Sequence, residues 1–438
     1  MERVVAKFGG SSVASAGQIR RVMEIIAADP ARRVVVVSAP GKRDSADRKI
    51  TDLLFRCHQL ASAEVSYHEA LSLIDERFRE MSADLGVADA VDEPLAALAA
   101  GLARGETADW VASRGEHIAA QLVASALGAE YVETEGLLGI DRQGRPTPES
   151  YARLAAALDG DGLFVLPGYY GSGPNGQVKV FSRGGSDITG SVVAKALDAS
   201  LYENWTDVSG FMMADPRIVP QARAMREVTY AELRELAYMG ASVLHDEAIF
   251  PVREAGIPIH IRNTNAPDDP GTLIVPHRDL EATPVVGVAG RQNFTAIHIA
   301  KAMMNKELGV GRRVLNALEA AGINFEHMPS GIDTMSVIVT NEELGDNLDR
   351  VVDEIRRTVQ PDSLQVYTDL ALITTVGLGM AFQVGISGRC FAALGEAGVN
   401  VRMISQGVAE LNIIVGVACE DFERAVRALY EAFVVDVA

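Results

Sequence analysis

The chain has 438 residues, of which 48 % are hydrophobic and 23 % charged, so it is long enough for two or three globular domains. Its formal net charge of −19 argues against binding to duplex nucleic acid, because that binding needs a cationic surface. With three scattered cysteines, no apolar run of about 18 residues and no leader-like start, the sequence predicts a cytoplasmic protein without disulfides, metal sites or membrane spans.

Short apolar runs alternate with helical patterns in the first half of the chain. The runs at residues 4–6, 33–38 and 162–166 are rich in β-branched side chains and predict buried strands. Buried strands separated by helices predict an α/β fold whose mainly parallel sheet is covered on both faces. Residues 52–130 are rich in Ala, Leu and Glu instead, and predict a helical insertion with Phe55 facing inward.

A glycine turn follows the first predicted strand. Lys7 ends the strand, Gly9, Gly10 and Ser11 form the turn, and a helical pattern begins at residue 17. Glycines let backbone N–H groups approach phosphate oxygens, the helix N-terminus adds positive potential, and lysine adds a point charge. The turn therefore predicts a phosphate site, although a plain strand–helix turn with an exposed lysine gives the same spacing.

The interpretation of two later stretches depends on the residues around them. Residues 113–117 (SRGEH) open a predicted helix, where Glu116 taken alone favours a simple interaction with the helix dipole. Residues 171–176 match the glycine pattern of dinucleotide-binding proteins. Because that match contains Pro174 and is followed by a strand, it predicts a turn instead.

A second glycine turn, residues 181–187 (FSRGGSD), also joins a predicted strand to a helix. It carries Ser182, Arg183 and Asp187. The guanidinium of Arg183 suits a carboxylate, because it can donate two parallel hydrogen bonds. Asp187 can cap the following helix, and it can also orient Lys7. Two such turns at strand ends predict one site shared between them.

Polar residues follow a short predicted strand at residues 202–205. Thr206 and Asp207 come directly after it, and Arg217 lies shortly downstream. Thr206 and Asp207 suit a base or a ribose, and Arg217 suits a phosphate. A polar turn has the same composition, so both interpretations remain open at this point.

The last third of the chain contains an internal repeat. Residues 321–330 (AGINFEHMPS) resemble residues 397–405 (AGVNVRMIS), and each copy has a helical pattern before it and a strand pattern after it. The order predicts two ferredoxin-like βαββαβ modules. A loop at 265–271 (NAPDDPG) precedes them, so we predict one domain at 1–283 and a second region at 284–438.

Six stretches occur together in one order: KFGGSSV, SRGEH, FSRGGSD, WTDVSG, ADPR and GASVLH. With the paired modules behind them, nearly the whole chain resembles the aspartate kinases (aspartokinases) of the amino acid kinase family. The resemblance implies a three-layer αβα amino acid kinase fold with a mainly parallel central sheet. It implies that two ferredoxin-like ACT modules follow this fold.

The resemblance also implies a reaction. The γ-phosphoryl group of ATP, with Mg²⁺ bridging the phosphates, would pass to the side-chain carboxylate of L-aspartate. The product, 4-phospho-L-aspartate, leads to lysine, threonine and methionine. Lys7 is the implied catalytic cation, and Asp187 organises it. The other implied contacts are Thr51, Glu116, Ser182 and Arg183 for the substrate and Lys7, Gly9, Gly10, Ser11, Thr206, Asp207 and Arg217 for the nucleotide.

The ACT modules imply feedback inhibition by an end-product amino acid, lysine or threonine, with Glu326 and Asp333 as effector contacts. They also imply a homodimer, and an alternative is that the modules serve dimerisation alone. Two positions depart from many relatives. Met212 stands where a tyrosine is common, and Ser242 stands where a lysine is common.

Two other functions fit parts of the sequence. A non-catalytic amino-acid sensor would explain both departures, but Lys7, Arg183 and Asp187 are all present. Another kinase of the same fold could act on glutamate, carbamate or a nucleoside monophosphate. The pairing of Glu116 with Arg183 and the tandem modules argue against it.

Overall fold

The structure is a computed structural model that describes residues 3–182, 184–240, 246–281 and 283–435. The chain forms two compact units. The first lies within Met1–Phe211, Ala224–Tyr230 and Val243–Arg278, and the second lies within Met212–Arg223, Ala231–Ser242 and Asp279–Ala438. Each unit is made of several chain segments that were grouped by their contacts, so the units do not test a single boundary in the sequence. The domain limits of 1–283 and 284–438 therefore stay a prediction.

The strands of the first unit are short. They are β1 (Val4–Phe8), β2 (Arg32–Val37), β3 (Glu130–Tyr131), β4 (Phe164–Pro167), β5 (Tyr170–Ser172), β6 (Val178–Val180), β7 (Leu201–Thr206), β8 (Glu227–Thr229), β9 (Ile259–Asn263) and β10 (Thr272–Val275).

Helices connect most of these strands. They are α1 (Ala16–Ala27), α2 (Ile50–Ser62), α3 (His68–Leu85), α4 (Asp92–Arg104), α5 (Ala108–Leu127), α6 (Glu149–Ala157), α7 (Gly185–Ala196), α8 (Tyr230–Tyr238, of which residues from Ala231 belong to the second unit) and α9 (Asp246–Ala255).

The main sheet of the first unit has the strand order β3-β4-β2-β1-β7-β9-β10-β8. Among the described residues its strand pairs are parallel, apart from the antiparallel pair of β9 and β10. The four valines 34–37 of β2 are all buried, as the continuous apolar run of a doubly covered parallel strand requires. The prediction of a mainly parallel α/β sheet is therefore confirmed.

The centre of this sheet fixes the neighbours of Lys7. β1 lies between β2 and β7, and the register pairs Lys7 with Asn204 and Phe8 with Trp205. Successive residues of a strand point to opposite faces. Phe8 and Trp205 stack on one face with ring centroids 5.9 Å apart, while Lys7 and Asn204 share the other face.

The predicted insertion consists of helices α2 to α5, which pack around a common apolar core. Its packing shows one error in the sequence interpretation. Phe55, which we expected to face inward, is 39 % exposed, because its neighbour Leu54 occupies the buried stripe of α2. Within the described residues, no helix is both long and apolar enough to cross a membrane.

The elements of the second unit after α8 are β11 (Gly287–Ala300), α10 (Val310–Glu319), β12 (Thr334–Thr340), α11 (Asn341–Leu344), α12 (Leu348–Val359), β13 (Ser363–Val376), α13 (Ile386–Glu396), β14 (Met403–Ser405), β15 (Asn412–Val417) and α14 (Phe422–Tyr430). The strands form one antiparallel sheet with the order β12-β11-β13-β15-β14.

The two repeats of the second unit share the long strands β11 and β13, which run through both modules. Helices α10 and α12 enclose one apolar core, and α13 and α14 enclose another. In each βαββαβ module, the strand that lies within the repeated stretch (residues 321–330 or 397–405) is short. It is β14 in the second repeat and only two isolated bridges, at His327 and Ser330, in the first. Pro329 lies between those bridges and has no N–H to donate to a ladder.

Candidate active site

The buried ammonium group of Lys7 is the centre of the site. Lys7 is 7 % exposed and lies next to the last residue of β1. Its Nζ is 2.6 Å from Oδ1 of Asp187 and donates to Oδ1 of Asn204 at 3.4 Å. The Nδ2 of Asn204 donates to the same Asp187 oxygen at 2.8 Å. The sequence thus predicted the Lys7–Asp187 contact as one of two roles of Asp187, and the structure forms it.

The side chain of Asp187 does not cap the following helix, which was the other predicted role. Helix α7 begins at Gly185, its N-cap residue is Gly184, and Asp187 is the third helical residue. The carboxylate of Asp187 is instead directed to Lys7 and Asn204. Its negative charge in the first turn still interacts favourably with the helix dipole.

The first glycine turn lies beside Lys7. The N–H of Gly9 donates to the Trp205 carbonyl at 3.0 Å. A Cβ atom at Gly9 would stand 3.5 Å from Nζ of Lys7, so glycine leaves that side of the ammonium open. Ser11 lies half-buried in the 3₁₀ turn that follows the glycines and precedes α1. This open side fits the approach of a phosphate oxygen.

Gly10 is required by a close backbone contact. A Cβ atom there would be 2.8 Å from the carbonyl oxygen of Ala39, and the N–H of Gly41 donates to the Gly10 carbonyl at 2.8 Å. The loop at residues 38–41 thus lies directly against the turn. A larger residue at position 10 would displace this loop.

The same loop holds Glu116. The backbone N–H of Ala39 donates to the Glu116 carboxylate, and a Cβ atom at Gly115 would be 2.8 Å from Cβ of Ala39. Glu116 is 5 % exposed, and its Oε2 has no hydrogen-bond partner. Burial raises the pKa of the Glu116 carboxyl from 4.5 to about 8. A buried acid with a free oxygen is suited to a ligand cation. The prediction that Glu116 lies in the first turn of a helix and interacts with its dipole is wrong, because α5 begins eight residues earlier, at Ala108.

Thr51 lies in the first turn of α2, whose first residue contacts this loop. The N–H of Ile50 donates to the carbonyl of Pro40 at 3.2 Å. The half-buried Thr51 is the next residue. One short loop therefore contacts Gly10, Glu116 and the first residue of the helix that carries Thr51.

The second glycine turn differs from the first in its steric requirements. Gly184 has a φ of 59°, which favours glycine, and a Cβ atom at Gly185 would be 2.5 Å from the Tyr169 ring. Ser182 is exposed in the segment before α7. Arg183, the predicted clamp for a substrate carboxylate, lies outside the described residues.

The candidate nucleotide contacts are more exposed. Thr206 ends β7, and its Oγ1 donates to Oδ1 of the exposed Asp207 at 3.2 Å. Arg217 lies in the second unit, where its guanidinium pairs with Asp215 at 2.6 Å and is 87 % exposed. Met212 also belongs to that unit, and Ser242 lies outside the described residues.

The two predicted effector residues lie in the second unit but are not brought together. The Glu326 carboxylate accepts a hydrogen bond from the Tyr238 hydroxyl, and the N–H of Glu326 donates to the carbonyl of Ile338. Asp333 is exposed at the opposite end of β12 from Ile338. A surface cavity of about 440 Å³ is lined by Arg291, Glu326, Thr340, Glu342 and Glu343.

Asn204 is the main residue that sequence reasoning missed. A signal was present, because Glu203 and Asn204 interrupt an otherwise apolar strand, β7, at its buried centre. Glu203 points to the other face, where it accepts two hydrogen bonds from Arg32 and one from the Trp205 indole. A polar residue in a buried strand needs a partner, and Lys7 is the register neighbour of Asn204.

Comparisons with known proteins agree with this geometry. Residues 2–263 match the amino acid kinase family, and residues 373–433 match the ACT domain. Aspartokinase 3 of Bacillus subtilis (strain 168) is 41 % identical over 445 residues, which cover 98 % of each chain. The crystal structure of Clostridium acetobutylicum aspartate kinase is 43 % identical, with a TM-score of 0.92 over 99 % of this chain and all of that one.

A more distant structure has the same architecture. Escherichia coli aspartokinase III in complex with lysine and aspartate is 26 % identical, with a TM-score of 0.73 over 99 % of this chain and 100 % of that chain. The parallel sheet, the buried lysine at a strand end and the family match together define a kinase with ACT-type modules. Within that class, the chain belongs to the aspartokinases. The resemblance carried by the six sequence stretches is confirmed, as is the predicted fold.

Proposed function

We propose that the chain transfers the γ-phosphoryl group of ATP to the side-chain carboxylate of L-aspartate. A bond forms between a carboxylate oxygen and the γ-phosphorus, the bond from that phosphorus to ADP breaks, and 4-phospho-L-aspartate leaves. The observation that carries the proposal is the buried ammonium of Lys7, which is open on the side where Gly9 has no side chain. Because both reactants are anions, a preorganised cation lowers the barrier, and no general base is needed.

Lys7 and Asp187 are the proposed catalytic pair. Lys7 would bind the phosphoryl group during transfer, when negative charge is spread over its oxygens. Asp187 would hold the ammonium in place, and their 2.6 Å contact supports this role. Fixed charges in a buried site cost no reorganisation at the moment of reaction, which is the main source of electrostatic catalysis.

The amino-acid end of the substrate would be held by opposite charges. Glu116 would accept the α-ammonium group, and the unpartnered Oε2 supports this role. Arg183 would bind the α-carboxylate, a role that rests on the family resemblance. Thr51 and Ser182 are the remaining proposed substrate contacts. A site with one anion and one cation selects an amino acid over a simple carboxylic acid.

The nucleotide would lie at the ends of β1 and β7. Gly9, Gly10 and Ser11 would surround its phosphates, while Thr206 and Asp207 would contact the nucleoside. Arg217 is a further proposed nucleotide contact, supported by the ADPR motif alone. Mg²⁺ would be held by the ATP phosphates, as is usual in kinases, and would neutralise charge on them.

The ACT modules would provide feedback control. The effector would be an end-product amino acid, lysine or threonine, and lysine is supported by the E. coli relative in complex with lysine and aspartate. Glu326 and Asp333 are the proposed effector contacts. The cavity that contains Glu326 carries three carboxylates, which suit an ammonium group. We further propose a cytoplasmic homodimer, formed through the ACT modules, that acts at the entry to lysine, threonine and methionine synthesis.

The test is ATP-dependent acyl phosphate formation, trapped as the hydroxamate, with L-aspartate and with L-glutamate as the matched acceptor. We expect signal with aspartate and none with glutamate. Repeating the assay with lysine, threonine, both together, and methionine identifies the effector. A folded protein that binds aspartate but gives no hydroxamate would contradict the proposal and favour an amino-acid sensor, whereas signal with glutamate alone would favour another acyl kinase.

A further inference from the structure

The side-chain amide of Asn204 contacts both members of the Lys7–Asp187 pair. Asn204 lies in β7, directly beside Lys7 of β1, and is 4 % exposed. Its Nδ2 donates to Oδ1 of Asp187 at 2.8 Å, and its Oδ1 accepts from Nζ of Lys7 at 3.4 Å. We propose that Asn204 is a positioning residue for phosphoryl transfer, which holds the Asp187 carboxylate and directs the Lys7 ammonium toward Gly9.

The reason lies in the number of hydrogen bonds that each group can form. A lysine ammonium has three donors and a carboxylate oxygen accepts about two bonds. Oδ1 of Asp187 is shared between Lys7 and Asn204, so the carboxylate cannot rotate freely about the lysine. The weaker bond to Asn204 takes a second ammonium donor and leaves the third for a phosphoryl oxygen. Asn204 is neutral, so it orients the pair without adding charge.

Anchoring of the α7 N-terminus to the sheet does not depend on Asn204 alone. Tyr202 lies on the same face of β7 as Asn204, and its hydroxyl donates to the backbone oxygen of Asp187 at 3.2 Å. The backbone of Asp187 therefore has its own contact with the strand. What the amide of Asn204 adds is control of the carboxylate itself, the group that contacts Lys7.

The first test is Asn204→Leu, which keeps the number and branching of the side-chain heavy atoms and removes both hydrogen bonds. We expect kcat to fall about 10- to 100-fold, with the KM values for aspartate and ATP within about threefold, as for a group that acts in the transition state. In an Asp187→Asn background, the same change should lower kcat by less than about threefold, because the two residues act as one unit. Ser191→Ala, which removes a buried hydrogen bond elsewhere in α7, is the control and should leave kcat unchanged.

The second test is Asn204→Asp, which keeps the shape. The introduced carboxyl can donate to Asp187 only when protonated, so activity relative to the unaltered protein should rise as the pH is lowered from about 8 to about 6. A purely structural role predicts a ratio that does not change with pH. A constant ratio, a kcat within twofold for Asn204→Leu, or an undiminished loss in the Asp187→Asn background would each overturn the inference.

The inference rests on the proposed roles of Lys7 and Asp187, and Lys7→Ala separates the two failures. If Lys7→Ala is inactive while Asn204→Leu is fully active, only the role of Asn204 is wrong. If Lys7→Ala retains activity, the proposed function of Lys7 is wrong, and the positioning role is overturned with it.

Discussion

Two buried charged residues of the first unit, Lys7 and Glu116, differ in how completely they are paired. The Lys7 ammonium contacts Asp187 and Asn204. The Glu116 carboxyl receives backbone hydrogen bonds from Ala39 and from Glu116 itself, but its Oε2 has no partner. With the roles proposed above, the difference means that the phosphoryl end of the site would be assembled before substrate arrives, whereas the amino-acid end would be completed by the substrate. Each prediction below tests one side of this contrast.

Lys7→Ala should have the largest effect. Loss of the preorganised cation is expected to lower kcat by about 10²- to 10³-fold or more, as removal of a transition-state hydrogen-bond donor does elsewhere. Hydroxamate formation measures the rate. Lys195→Ala is the matched control, because Lys195 lies in the same unit and pairs with Glu254 at the surface. If the kcat of Lys7→Ala is within threefold of that control, Lys7 does not contribute to phosphoryl transfer, and the contrast between the two ends of the site is wrong.

Glu116→Gln should act mainly on aspartate binding. The amide keeps the size of the side chain but not its charge, and a hydrogen bond to a charged group contributes about 1.5–3 kcal/mol, so the KM for aspartate should rise about 10- to 100-fold. The KM for ATP should stay within about threefold. Glu130→Gln, at an exposed position of β3, is the control. Equal increases in both KM values would show that Glu116 does not distinguish the two substrates.

The raised pKa of Glu116 makes the amino-acid end sensitive to pH. Only the ionised carboxylate binds an ammonium, so the KM for aspartate should fall as the pH rises from about 6 to about 8, and Glu116→Gln should lose this dependence. The stability of the fold changes in the opposite direction from aspartate binding, which becomes tighter as the pH rises. Between 4.5 and about 8 the unfolded chain holds fewer protons at this group than the folded chain, so the free energy of unfolding falls as the pH rises.

Denaturant unfolding of the ligand-free protein at several pH values measures this second effect. The slope of the unfolding free energy against pH should be less negative in Glu116→Gln than in the unaltered protein. If the slopes are the same, Glu116 is already ionised in the folded chain, and the contrast between the two ends of the site is wrong.

Thr51→Val should have the smallest effect. The change removes one hydroxyl, and an ordinary hydrogen bond contributes about 0.5–1.5 kcal/mol, so the KM for aspartate should rise about two- to tenfold. The kcat should be nearly constant. A fall in kcat with an unchanged KM would place Thr51 with the phosphoryl end of the site.

Much of this arrangement could be predicted from the sequence. The apolar runs predict the parallel sheet, because strands buried on both faces need continuous apolar side chains. The two glycine turns predict that Lys7 and Asp187 meet, because the carboxyl ends of parallel strands lie at one edge of a sheet. The burial of Glu116 could not be predicted, since it depends on a loop more than 70 residues earlier in the chain. The contact of Asn204 depends on the strand register of β1 and β7, which spacing alone does not reveal.

The ring of Trp205, stacked on Phe8 behind the phosphoryl end, gives the protein a built-in optical signal. The chain has only two tryptophans. Trp205 follows Asn204 and precedes Thr206, while Trp110 packs on the Arg114 guanidinium in α5, the helix that carries Glu116. Intrinsic fluorescence can therefore report separately on the two ends. Titration of Trp110→Phe with nucleotide and of Trp205→Phe with aspartate would follow each binding event without an added label.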